Sequence, residues 1–384
     1  MFPKIHVSLL TENDVICIWS IVNLSQLWHL LIAKRIETNQ KTYQKLYILF
    51  EIIGQSNKKQ YICATRTRQA SSQCLNRRVV LFIMARYTKT YSSPAQLVTL
   101  LQSRGLHIES VARTENYLRH IGYYRFSAYL YPLLTTPKEN HVFKPGATFN
   151  QALDMYRFDR HLRLLMFNEI EKIEIAVRRA IVNITSRETG NPFWMTDPTC
   201  FYDIDTFTRT KQLIDAELAK SREDFIEHFH NTYSDPYPPS WMLAEILPLG
   251  VLTRIYDNIR SNQIRKKIAQ EFSLGVPVFN SWMTIITVAR NNCGHHARVW
   301  NRTFALRVLT QRRMARPWIA IPVNQKKAYF SLCIIKFFLD IISPNNDMKA
   351  KIDALLSSYP SIDINAMGFP RGWEAEPLWN TPIA

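Results

Sequence analysis

FNQALDMYRFDRHLRLLMFNEIEKIEIAVRRAIVNITSR, residues 149–187, is the stretch that decides the fold. Leu162, Leu165, Glu169, Ile173, Val177 and Ile181 recur at steps of three and four, the spacing of one face of a helix. Glu171, Glu174 and Arg178 fall on adjacent turns, where side chains of opposite charge pair within a helix. Gly190-Asn191-Pro192 ends the pattern. A helix this long cannot bury itself, so the flanking sequence must supply the partners that cover it.

Upstream, FKPGATF (143–149) reads as a turn-rich loop. Ser93-Pro94 reads as an N-cap followed by proline at the first helical position, opening an amphipathic helix through Leu97, Leu100 and Leu101 that Gly105 stops. A short helix over 114–120 leads into IGYYRFSAYLYPLL. Downstream, the loop DPYPPS (235–240) precedes a helical stretch over 241–259. Residues 281–309 read as helix again, and 328–342 as an apolar helix. Past Met314 the pattern weakens, and from about residue 361 the text reads as an irregular tail. Repeats and low-complexity runs are missing. Ten glycines in 384 residues are too few for a turn-rich all-β fold. The expected class is all-α.

Residues 1–83 differ from the rest. An apolar stretch over 15–33 has the length of a membrane span, but Asn23, Ser25, Gln26 and His29 interrupt it. Glu12 and Asp14 before it are not the basic leader of a signal peptide. Residues 58–78 are polar and basic, without a period of either kind. The expected organisation is therefore an upstream extension of the reading frame over 1–83 with little packed structure, a main domain over 84–310 starting at Met84, and a C-terminal helical extension and tail over 311–384. A weak membrane anchor and a genuine accessory domain are the competing readings of 1–83.

The formal charge of +17 favours a polyanionic partner, nucleic acid before an anionic membrane surface. Six cysteines, Cys17, Cys63, Cys74, Cys200, Cys293 and Cys333, form no C-x-x-C pair and no zinc-ligand spacing, which reads as reduced thiols in a cytoplasmic protein without a metal.

The densest polar cluster is RNNCGHHARVWNR, residues 290–302. If the helix runs through it, Asn291, His295, Arg298 and Arg302 fall in one stripe. Phosphate suits such a stripe: arginine grips its oxygens in a fork, and histidine exchanges a proton near neutral pH. A solvated charged face is the plainer reading of the arginines. His295 and His296 are no metal pair, because adjacent helical residues point about 100° apart. In GYYR (122–125), Tyr124 could stack on a base and Arg125 reach a phosphate, although core packing is the plainer reading there too.

Arg290-Asn291-x-x-x-His295 resembles the R-x(4–6)-H signature of HEPN ribonucleases. The blocks SRGLHI (103–108), LRHIGYYRFSAYLYP (118–132), FKPGATF (143–149), YRFDRHLRLLMFNEIEKIEIAVR (156–178), PPSWMLAEILPLGVL (238–252) and CGHHARVWNR (293–302) resemble, in order and spacing, the Abi-like (AbiD/AbiF) abortive-infection family of phage resistance. The resemblance covers about residues 95–302, and 1–83 match nothing in it. It implies an all-α HEPN-type bundle, dimeric, cutting RNA without metal or other cofactor by attack of the 2′-hydroxyl on its own phosphate. It implies His295 as general acid/base, Arg290 on the phosphate and Asn291 orienting one of them. Arg298, Arg302, Arg125 and Tyr124 are RNA-contact candidates from their own chemistry and not from the resemblance. Glu171, Glu174 and Arg178 read from their spacing as a structural charge network, from which a carboxylate could orient His295, and His296 is a further supporting candidate; a small-RNA or protein antitoxin is a further partner the family suggests. A non-catalytic RNA-binding or regulatory module is the alternative. One point of geometry stays open: residues five apart on an ideal helix lie about 140° apart. Either the helix distorts near Gly294, or Arg290 reaches around, or the site is built from two subunits.

Overall fold

The computed structural model describes residues 7–9, 16–18, 61–66, 79–84, 87–305, 308–311 and 313–380. The chain divides into two compact units, Met1–Ser92 and Ser93–Ala384. In the first, four strands, β1 (Val7–Leu9), β2 (Ile16–Ile18), β3 (Tyr61–Arg66) and β4 (Val79–Met84), form an antiparallel sheet in sequence order. Met84, read as the start of the main domain, is the last residue of β4, opposite Tyr61. The all-α expectation therefore holds for the second unit and not for these strands. Most of the apolar stretch over 15–33 lies outside the described residues.

The second unit is a helical bundle. Its helices are α1 (Pro94–Ser103), α2 (Val111–Ile121), α3 (Tyr123–Leu130), α4 (Phe149–Thr189), α5 (Ile204–Lys220), α6 (Asp224–Thr232), α7 (Ser240–Ile246), α8 (Leu249–Asn258), α9 (Asn262–Glu271), α10 (Val276–Gly294), α11 (Ala328–Ile342), α12 (Met348–Ser358) and the single turn α13 (Pro377–Asn380). Ser93 caps α1 as expected, in a reciprocal pair of bonds with Gln96. Thr148 and Gln151 make the same box at the start of α4, and Gly190, with φ 64°, ends it. The stretch 241–259 is two helices, because Pro248 has no N–H to continue the first and pushes Leu247 into extended backbone.

α4 is the axis. Its 41 residues span about 60 Å at 1.5 Å each. Leu162, Met166, Ile170, Ile173, Val177 and Ile181 are buried along it, and α3, α7, α8, α9, α10, α11 and α12 all pack on it. From Ala328 to Asp340 every residue of α11 is buried, and its two charges, Lys336 and Asp340, pair with each other. Trp282 of α10 stacks on Trp318 at 4.8 Å and meets Phe337 of α11 edge-on at 5.2 Å.

Residues 361–380 form only short helical turns between irregular stretches, but they are packed. Phe369, Trp373 and Trp379 are buried around Tyr329, whose hydroxyl accepts from Trp379 Nε1 at 3.1 Å. The buried carboxylate of Glu376 accepts the backbone N–H groups of Ala320 and Ile321. Aromatic packing without a period is invisible to a periodicity argument, which is why this stretch read as a tail.

Glu169 ties α4 to α12. Its fully buried carboxylate accepts from Lys172 at 2.7 Å and from Lys351 at 2.8 Å. Burial alone would push this carboxyl up; the two ammonium groups overcome it and hold it below the usual glutamate range. The stabilisation is therefore complete above the unfolded pKa and is lost as pH falls through the lower folded value. Glu169→Gln is expected to cost about 1–3 kcal/mol at neutral pH. Denaturant melts should show the gap to wild type closing below about pH 4.

Candidate active site

The last turn of α10 carries Arg290, Asn291, Asn292, Cys293 and Gly294, and there the helix stops. The His295 N–H still donates to Asn291 O at 2.9 Å. His296 then takes a left-handed conformation, φ 56°, and Ala297 N–H closes back on Asn292 O at 2.8 Å. Asn301 is left-handed as well, φ 49°. A non-glycine residue in that region costs about 1–3 kcal/mol and persists only where its surroundings dictate it. The loop 295–302 is therefore held by other parts of the bundle.

Four anchors hold it. Asp159 of α4, fully buried, accepts the N–H of Val299 at 3.0 Å and of Trp300 at 2.6 Å through Oδ1. Its Oδ2 accepts from Tyr129 of α3 at 2.5 Å and pairs with Arg163. Burial pushes the Asp159 carboxyl up, against Arg163 and these hydrogen bonds, which pull it down. Arg125 of α3 donates to the His296 carbonyl. Arg298 donates to Ala128 O at 2.8 Å, and Arg302 to Asn292 Oδ1 at 2.7 Å.

This corrects the expected stripe. Residues 295–305 do not continue the helix, so Asn291, His295, Arg298 and Arg302 do not share a helical face. Arg298 and Arg302, expected on phosphate, each spend an N–H pinning the loop. The GYYR block divides: Phe126 beside it is core, Arg125 fixes the loop, and Tyr124 is 94% exposed.

Arg290 lies over the ring of Phe167, 5.8 Å from its centroid, with Nε 3.5 Å from Glu174 Oε2 and Nη1 3.5 Å from Asn291 Oδ1. Glu174 is shared with Arg178 at 3.0 Å, and Arg178 also donates to Leu247 O. The charge network expected of Glu174 and Arg178 thus exists, and it serves Arg290 rather than His295; Glu171 is exposed beside it. Gly294 also faces Phe167: a Cβ there would lie 3.6 Å from the ring. Arg290 and Gly294 thus share a stripe over Phe167, and His295 leaves the helix at its edge. Asn291, His295 and His296 are exposed. No described residue hydrogen-bonds the His295 imidazole. The Cys293 thiol, buried beneath, is pushed up to about 12 by desolvation and is no nucleophile at neutral pH.

Residues 116–301 match the sequence family described as Abi-like protein. This part of the chain is an Abi-like domain. It spans a little under half of the sequence, from within α2 to the left-handed Asn301, and so takes in Arg125, Asp159, Arg290 and His295. No curated protein and no solved structure matches the chain. α11, α12 and α13 lie outside the Abi-like domain, although α11 and α12 pack directly on its central helix.

Among the described residues no group of three or more histidines, cysteines and carboxylates is placed to hold a metal ion. No single described helix is long and apolar enough to cross a membrane; α9 and α10 meet both conditions only together, across a 62° bend.

Sequence reasoning missed Asp159, Arg163 and Tyr129. A signal was present: Asp159 and Arg163 sit on the same stripe as Leu162, Met166 and Ile170, and charges on an apolar stripe need partners.

Proposed function

We propose that this protein is an endoribonuclease of a phage-defence system, cutting RNA without a metal ion, with His295 moving the proton and Arg290 on the phosphate. The observation that carries the reading is the pinned loop. Among the described residues, it presents an exposed imidazole with no hydrogen-bond partner beside an arginine whose one carboxylate is shared with Arg178. The reaction needs little else. The 2′-oxygen attacks phosphorus as a base takes its proton, the P–O5′ bond breaks, and an acid returns a proton to the leaving 5′-oxygen. The products are a 2′,3′-cyclic phosphate and a 5′-hydroxyl.

One histidine cannot stand at both oxygens, so the reading calls for a second His295 in a homodimer. Leu164, Phe167 and Ile175 of α4 are 56%, 41% and 58% exposed, and Phe167 lies directly under the Arg290 side chain. An apolar stripe bordering the site is where a second copy would bury surface and bring its own loop. Phe167→Glu is expected to yield monomers with little cleavage, measured by sedimentation and RNA cutting together.

A non-catalytic RNA-binding module is the second reading, favoured by the Glu174 carboxylate that already engages Arg290. Labelled RNA in excess chelator separates the two. The nuclease cuts it; the module binds it and leaves it whole. For either, affinity should fall steeply with salt as counterions are released.

A further inference from the structure

α4 also borders a second polar site, on a different face from Arg290. An open cleft of about 490 Å³ lies between α4 and α12, lined by Arg157, His161, Ala354, Leu355, Ser358 and Tyr359. It falls within the size range of small-molecule sites, roughly 300–1,000 Å³. Its aromatic wall is fixed: Tyr359 meets Phe158 of the core edge-on at 5.7 Å, and its hydroxyl is 3.0 Å from His161 Nδ1.

Positive charge gathers at one end. Arg157 donates to the Tyr117 hydroxyl at 2.9 Å, and Arg113 lies over the same ring, 5.7 Å from its centroid. The two guanidiniums, Arg113 first, hold the Tyr117 phenol below its ordinary value, the mark of a local positive potential. Among the described residues, the carboxylate that pairs with Arg157 is Asp154, at 3.6 Å with both side chains more than 40% exposed. No described carboxylate pairs with Arg113. Arg157, the His161 imidazole and the flat Tyr359 phenol thus line one cleft, with Arg113 nearby at the Tyr117 ring that Arg157 also approaches.

We propose that this cleft binds a phosphate monoester carrying a flat ring, the size of a mononucleotide. Arg157 takes the phosphate in its fork, with Arg113 adding charge behind it. His161 supplies a further donor, and the ring lies against Tyr359 and Leu355. Neither the site nor its ligand depends on the nuclease reading, because no residue is shared with the loop at His295.

The test is calorimetric titration of the full chain with AMP, and separately with adenosine and inorganic phosphate. AMP is expected to bind at one site per chain, on the order of tenfold or more tighter than either fragment, because both ends of the cleft are engaged. Arg157→Gln should weaken AMP at least tenfold, on the order of a lost charged bond, while adenosine is barely changed. Ser358→Trp, which fills the cleft from an exposed position and spares the core, should abolish binding; His295→Ala should leave it intact. Circular dichroism confirms that each variant folds. Absence of saturable AMP binding would overturn the proposal. So would AMP affinity no better than that of phosphate, or binding that survives Ser358→Trp and is lost in His295→Ala.

Discussion

Asp159→Ala is expected to destabilise the bundle by about 3–5 kcal/mol, the range for removing one partner of a buried ion pair. The loss has three parts. Arg163, itself buried, is left with an uncompensated charge. Tyr129 loses the acceptor of its hydroxyl. The N–H groups of Val299 and Trp300 lose theirs, so the left-handed turns at His296 and Asn301 lose their main restraint. In a unit this large the melting temperature should drop on the order of 10 °C. Asp159→Asn keeps one acceptor oxygen and should cost less. Equal stability of Asp159→Ala and wild type in denaturant melts would mean that the carboxylate does not hold the loop.

His295→Ala is expected to lower RNA cleavage by on the order of 10²–10⁴, the usual contribution of a general acid/base. Its stability should match wild type, since the exposed imidazole makes no described hydrogen bond and truncation opens no cavity. That combination separates a chemical role from a structural one, and it is the reverse of the Asp159 pattern. Arg290→Lys is a sharper companion. Lysine keeps the charge beside Glu174 but loses the planar fork, so cleavage should fall while the α4–α10 contact stays.

The helical frame was legible because it rests on period and caps. The 149–187 pattern, Ser93-Pro94 and the apolar run at Ala328–Ile342 each carry local signals that tertiary structure did not override. The end of α10 was not legible. Residues 295–302 have ordinary helix propensity, and Val299 and Trp300 leave the helix because a carboxylate far upstream in the sequence takes their N–H groups. No window of local sequence contains that competitor. The arginine-rich stripe was misplaced for the same reason: once the helix stops at Gly294, Arg298 and Arg302 point along a loop and find Ala128 O and Asn292 as partners. Arg290 and Asn291 stay on the last turn of α10 and His295 directly follows it, so the change of backbone begins only beyond that short cluster. The sheet of β1 to β4 escaped because β3 begins in a polar, basic stretch with no clear alternation.

Metal-free cleavage by His295 is tested by single-turnover cleavage of 5′-labelled RNA in excess EDTA by wild type and His295→Ala, with the product ends analysed. Wild type should cleave and leave 2′,3′-cyclic phosphate and 5′-hydroxyl ends, and His295→Ala should be folded, bind the RNA and scarcely cut it. Cleavage only when Mg²⁺ is restored, or a His295→Ala rate equal to wild type, would contradict that mechanism.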